Sequence, residues 1–226
     1  MSVFGVGKGG GAADRTAGAV LIVAAAGTVV AMGHHPSSAH SGGLGGLVHG
    51  AMVALAAMLG FGFTQFARRR SLDRPAILAG LVAYAIGLFA HVAAATINGF
   101  VVPALAGRGA GAVGHDIFLL AWESNQALAR LGVFAAGAAF ILWSIDLLRR
   151  GGRATRLVGG AGLVAGAAPA ILIAAGLLTM DVAGAAAVYA AHAAWSILVG
   201  VQLARGELGG GAGRSVHDEA RLEREG

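Results

Sequence analysis

The stretch FLLAWESNQALARLGVFAAGAAFILWSIDLLRRGGRATR, residues 118–156, decides the architecture. A largely apolar run from Phe118 to Leu148 ends in Arg149, Arg150, Arg153 and Arg156. Roughly 20 apolar residues cross a bilayer as a helix. A run of this length, closed by arginines, reads as a membrane span whose basic end stays in the cytoplasm.

Outward from this stretch the pattern repeats. Further apolar segments lie at about 16–33, 47–67, 75–98, 156–179 and 182–204. Lys8 and Arg15 precede the first, Arg68, Arg69, Arg70 and Arg74 separate the second from the third, and Arg205 closes the last. The opposite loops contain a single basic residue, Arg108. This asymmetry predicts an all-α membrane protein of six transmembrane helices with both termini cytoplasmic. The spans pair as three consecutive hairpins, and the long fourth helix, unbroken from His115, projects outward. Residues 1–14 read as a flexible tail, 15–205 as the bundle and 206–226 as a charged, solvated tail. A cleaved signal peptide is the other reading of the first segment, but no small-x-small cleavage site precedes a mature domain.

Composition agrees. Of 226 residues 57% are hydrophobic and 12% charged, and the mean hydropathy is +0.75, which excludes an ordinary soluble domain. The net charge of +5 comes from arginines flanking the spans, so it anchors the chain at a lipid bilayer and does not point to nucleic acid. Cys is absent, which removes disulfides, thiolate metal sites and Cys nucleophiles. A metal would need His, carboxylate, Met or carbonyl ligands. The sole lysine, Lys8, lies in the tail, so no retinal Schiff base forms inside the membrane. Ser144 and Ser196, the serines well within spans, lack a nucleophile-elbow context.

The functional lead is histidine. His34, His35, His40, His49, His91, His115 and His192 all fall at or inside the outer half of the spans, and only His217 lies in the tail. Ionisable groups near a bilayer core are costly and face a cavity, a partner or a ligand. With about 1.5 Å of rise per residue, counting from the arginines puts His34, His49, His91 and Arg130 at roughly 25–28 Å, just inside the outer boundary. Asn98, Glu123 and Asp181 come out at roughly 36–39 Å, and His192 at roughly 20 Å.

Several groupings follow. Glu123, Gln126 and Arg130 recur at helical spacing, so this polar stripe should point into the bundle, with Gln126, Glu123 or Asp181 as the acceptor for Arg130. His49 and His91, at one depth, can bind Zn, Cu, Ni or iron with Glu123 completing the set. Two imidazoles on facing helices can instead hold a haem iron. His34, His35 and His40 read as solvated loop residues and secondary metal candidates. His115 beside Asp116 starts the fourth helix, and His192 packs with Tyr189 and Ser196 on its face. Pro169 marks a kink, and Gly162 with Gly166 a close helix contact.

Three functions are compatible with this pattern. One is an outward-facing polar pocket of an inner-membrane protein that binds a transition metal or haem. Another is a small transporter or channel with His91, Asn98, Glu123, Arg130 and His192 lining a polar path. The last is an accessory subunit of a homo-oligomer or larger membrane complex. No catalytic residue is identified. The inner halves of the spans carry almost no polar residues, which argues against a through-path.

Overall fold

The computed structural model describes residues 10–35, 44–108 and 111–208. His40, His217 and most of the two tails lie outside the described residues. Helices α1 (Gly10–Gly33), α2 (Leu44–Arg70) and α3 (Pro75–Thr96) come first. A π-helical turn (Ile97–Val101) and α4 (Val102–Ala106) continue α3, and α5 (His115–Arg150), α6 (Arg153–Ala174) and α7 (Val182–Ala204) follow. Six helices are long and apolar enough to cross a membrane, α3 through α4 counting as one span, and the described residues contain no strand.

Three of the ends differ from expectation. Helix α1 already includes residues 10–14, because Asp14 is buried and held by α2: Arg69 Nε lies 2.8 Å from Asp14 Oδ2 and Gln65 Nε2 donates to Oδ1 at 3.2 Å. Residues 99–106, beyond the apolar segment expected to end at about 98, stay helical. At the other terminus Leu208, placed in the solvated tail, is buried.

Small residues explain which helices meet. Helix α3 packs most extensively on α5, α1 on α7 and α5 on α6; α1–α2 and α2–α3 contacts are next, and α6–α7 contacts are sparser. A Cβ on Gly18 would stand 2.5 Å from the Gly200 carbonyl oxygen, and one on Gly137 2.5 Å from that of Gly166. Lipid tails are as apolar as Leu, so helices associate through such close backbone packing. Of the Gly162 and Gly166 contact anticipated in α6, Gly166 is of this kind, and Gly162 instead admits side chains. Pro169 is buried within α6, which runs through it without ending.

Toward the arginine-rich end the core is aromatic. Phe63 stacks on Trp143 at 5.1 Å and on Trp195 at 5.7 Å, and Phe140 lies 4.2 Å from Trp195. Each indole N–H donates to a helix carbonyl, Trp143 to Ile77 at 3.1 Å and Trp195 to Val158 at 3.0 Å. Gly80 makes room for Trp143 and Gly162 for Trp195, so one device serves two helix pairs. A buried indole thus finds its partner without a polar side chain.

Below this cluster sits an ion network. Arg70, read with its neighbours as an arginine anchoring the chain at the bilayer, is buried instead, its Nε donating to Asp146 Oδ2 at 2.8 Å and its Nη1 to the Leu208 carbonyl at 3.3 Å. Arg74 Nη1 reaches Asp146 Oδ1 at 3.2 Å, and Arg150 Nε lies 3.6 Å from the same oxygen. Asp146 therefore ties together α2, the start of α3 and α5, and Arg70 extends the network to the stretch after α7.

Candidate functional site: a histidine-lined vestibule

At the opposite end the helices part around a cavity of about 480 Å³. Its wall is mainly Ala, Val, Met and aromatic side chains, with His35, His49, His91, Asn98, Asn125, Gln126, Asp181 and Tyr189 turned into it. Concave, mostly apolar sites with a few convergent polar groups are the usual form of a ligand pocket.

The tightest polar grouping is at the top of α1 and α2. His49 is buried, and its Nδ1 lies 2.7 Å from the Gly45 carbonyl oxygen. A carbonyl only accepts, so Nδ1 carries the proton and Nε2 keeps a lone pair. That lone pair faces His35 Nε2 at 3.2 Å and the Asn98 amide nitrogen at 3.2 Å. The two rings meet edge to face, centroids 4.8 Å apart. His35, read from the sequence as a solvated loop residue, is thus half-buried against α2: its backbone N–H donates to the Met32 carbonyl, which carries the last turn of α1 inward.

Counting residues sets Asn98 about 8 Å beyond His49, yet they touch. The Cα–Cβ bond leans toward a helix's N-terminus, and α2 and α3 run in opposite directions, so the side chains lean toward each other. The π turn brings Asn98 into place. Pro103 has no N–H for the Gly99 carbonyl, four residues earlier, and its ring crowds that carbonyl; widening the turn relieves both. Gly99 completes the fit, because a Cβ there would overlap the His49 Cβ. Helical spacing alone does not show this contact; Gly99 followed four residues later by Pro103 is the signal that could have found it.

His91 lies deeper, with Nδ1 3.3 Å from the Tyr189 hydroxyl. It borders a second, smaller cavity of about 70 Å³, which also touches Tyr84, Thr28 and His192. His91 and Tyr189 line both spaces and stand between them. Gly132 of α5 admits the imidazole: a Cβ there would come within 2.6 Å of the ring. Gly132→Val should cost about 1–3 kcal/mol by overpacking, measured as a loss of stability in detergent, with Gly160→Val, where the added Cβ meets open space, as the control.

His192 packs edge-on to Phe140 at 4.9 Å, and its Nε2 has no partner among the described residues. Ser196 gives its hydroxyl hydrogen to the His192 carbonyl at 2.7 Å and not to the ring.

The fourth-span stripe divides. Gln126 is buried and donates to the Met180 carbonyl at 3.3 Å, whereas Glu123 and Arg130 are exposed and make no ion pair among the described residues. At about 100° per residue Gln126 is turned roughly 40–60° from the other two, and the edge of the bundle passes between them. Glu123 therefore stands apart from His49 and His91, and no group of three or more His, Asp or Glu side chains among the described residues converges on one point. His49 and His91 face the same vestibule but bond to different partners. His34 and His115, with Asp116, are exposed; His34 Nδ1 lies 2.9 Å from the Val30 carbonyl oxygen.

Asp181 caps α7. Its Oδ1 accepts from the Gly184 N–H at 2.8 Å and its Oδ2 from the Thr179 hydroxyl at 2.8 Å, and these bonds, the Gly184 one foremost, hold its carboxyl below the ordinary 3.8. The cap's charge contribution is therefore complete above pH 3.8 and fades as pH falls through the lower folded value. Wild type should melt higher than Asp181→Asn at neutral pH, with the gap closing on acidification below that point; a pH-independent gap would contradict the assignment.

No protein-family model, curated protein or solved structure matches the chain. The fold defines its class on its own: a polytopic α-helical membrane protein with buried polar residues.

Proposed function

We propose that the chain is a ligand-binding protein of the bacterial inner membrane whose vestibule opens to the outer, periplasmic side. The positive-inside bias supports that orientation, since every arginine cluster lies at the far end. The vestibule receives a small polar ligand or metal ion and does not pass it through. One observation carries this reading: below His192 the helices enclose the aromatic cluster of Phe63, Phe140, Trp143 and Trp195, with the Asp146 network beneath. Proton and ion carriers need polar groups along the whole path.

Haem fits this site poorly. Iron held between two imidazoles needs their nitrogens about 4 Å apart across the porphyrin plane, at about 2 Å per bond, and the His35–His49 separation is 3.2 Å. The chamber at His91 and His192, about 70 Å³, has room for a few waters and none for a porphyrin.

A transporter is the second reading, favoured by a second cavity deeper in the bundle that shares His91 and Tyr189 with the vestibule. Proteoliposomes separate the two. Saturable binding of a metal ion from the histidine side, with no accumulation in the lumen above that of protein-free vesicles, supports a dead-end site. Time-dependent accumulation that Trp143 and Trp195 substitutions alter would establish transport.

A further inference from the structure

The vestibule's donors point to one metal. We propose that it holds a single copper(I) ion between Nε2 of His35 and Nε2 of His49, displacing the Asn98 amide from the His49 lone pair, with the thioethers of Met32 and Met52 as further ligands. The proposal rests on the vestibule reading above and names its ligand.

Geometry comes first. Metal–imidazole bonds of about 2.0 Å at a tetrahedral angle separate the two nitrogens by about 3.3 Å. The observed separation is 3.2 Å. His49 is set for the role: its Nδ1 is held by the Gly45 carbonyl, the outer hydrogen bond that fixes the tautomer and aim of metal-bound histidines. Its burial and the clearance at Gly99 hold the ring in place.

The thioethers come with the same helices. Met52 follows His49 by three residues on one face of α2, and Met32 lies in the last turn of α1, three residues before His35. All four residues line the vestibule. Imidazole suits several metals, but thioether sulfur selects copper(I) over zinc, nickel or cobalt.

Charge argues the same way. The imidazoles and thioethers are neutral. Asp181, the carboxylate on the vestibule wall, already accepts from Gly184 and Thr179. A cation held between His35 and His49 by these four side chains has only neutral ligands. The cost of burying an ion rises with the square of its charge, so a monovalent ion is far better tolerated than a divalent one.

The test is an anaerobic titration of the detergent-purified full chain with copper(I) against a chromogenic copper(I) chelator, with zinc(II) in parallel. The expected result is one copper(I) per chain and a metal spectrum showing both nitrogen and sulfur neighbours. His49→Gln and His35→Gln should each weaken binding by about a hundredfold, as loss of a ligand exceeds the 10–100-fold typical of outer-shell changes. Met32→Leu with Met52→Leu should weaken copper(I) about tenfold and leave zinc(II) unchanged, the signature of thioether selection. Variants are compared only where gel filtration and helical circular dichroism match wild type, and the two His variants serve as independent checks. Zinc binding tighter than copper, or copper binding unmoved by both His variants, would overturn the proposal. An Ala94→Cys variant, treated with a water-soluble maleimide, reads the vestibule separately. Labelling of that thiol without copper binding by the wild-type chain refutes the metal site alone, whereas no labelling refutes the vestibule reading beneath it.

Discussion

Asp146→Ala lowers the stability of the bundle by about 3–5 kcal/mol, the cost of stripping the partner from a buried charge. Arg70 is 2% exposed and Asp146 5%, so neither can turn to water when the other is removed. The substitution also leaves Arg70, Arg74 and Arg150 converging on an empty place, adding repulsion to desolvation. Asp146→Asn keeps an acceptor but not the charge and should fall between wild type and Ala. The pair itself is not a net source of stability, because a well-packed apolar pair of similar volume is often neutral or better. Arg70→Met combined with Asp146→Leu should therefore recover most of the loss. Denaturant titration in mixed micelles measures all four proteins. A loss under about 1 kcal/mol for Asp146→Ala, the range of a solvated surface pair, would show that the network is open to water.

Trp143→Ala should cost about 3 kcal/mol or slightly more. Lipid is as apolar as the core, so the transfer of apolar surface that dominates in soluble proteins contributes little here. The cavity remains: about 24 cal/mol per Å³ over a void on the order of 130 Å³ gives about 3 kcal/mol. Trp143 is fully buried and touches Phe63, Phe66, Tyr84 and Phe140, so rigid rings on every side limit collapse into the void. Trp143→Phe, which fills most of the space and loses the bond to the Ile77 carbonyl, should cost roughly 1 kcal/mol, near the net value of one hydrogen bond. The same denaturation assay reads both. Equal losses for Phe and Ala would mean that the indole bond, and not the filled volume, holds this part of the core.

What could be read in advance follows from what a linear pattern contains. Apolar length and arginine asymmetry locate six spans, because both properties are local to each helix. His49 stands out for the same reason, as a polar group a countable distance from Arg68. Its partner does not. His35 follows Gly33 and precedes Pro36, which is how a solvated loop begins, and nothing local says that the last turn of α1 folds against α2. Lateral order decides such contacts, and a single helix's spacing is silent on it. Glu123 and Arg130 mislead similarly: the stripe is on one face, but only the packing of α5 against α3 and α6 settles where the bundle's edge falls across it. Asp146 carries a signal of its own. It is the one acidic residue between Glu123 and Asp181, placed beside arginines at the end of an apolar run, where burial with a partner is the cheapest outcome.

A polar vestibule open at the histidine end and sealed below by aromatic side chains is directly measurable, because the chain has no native Cys. Any single introduced thiol is then the sole target for a maleimide. Four single variants suffice: Ala94→Cys and Ala129→Cys on the vestibule wall, and Ala67→Cys and Ala139→Cys, both fully buried in the lower half. Each is exposed in oriented membranes to a membrane-impermeant reagent from one side and then the other. The two vestibule variants should label from the periplasmic side only, and the two lower variants from neither. Labelling of either lower variant from any side, or of the vestibule variants from the cytoplasmic side, would contradict a sealed, outward-facing vestibule.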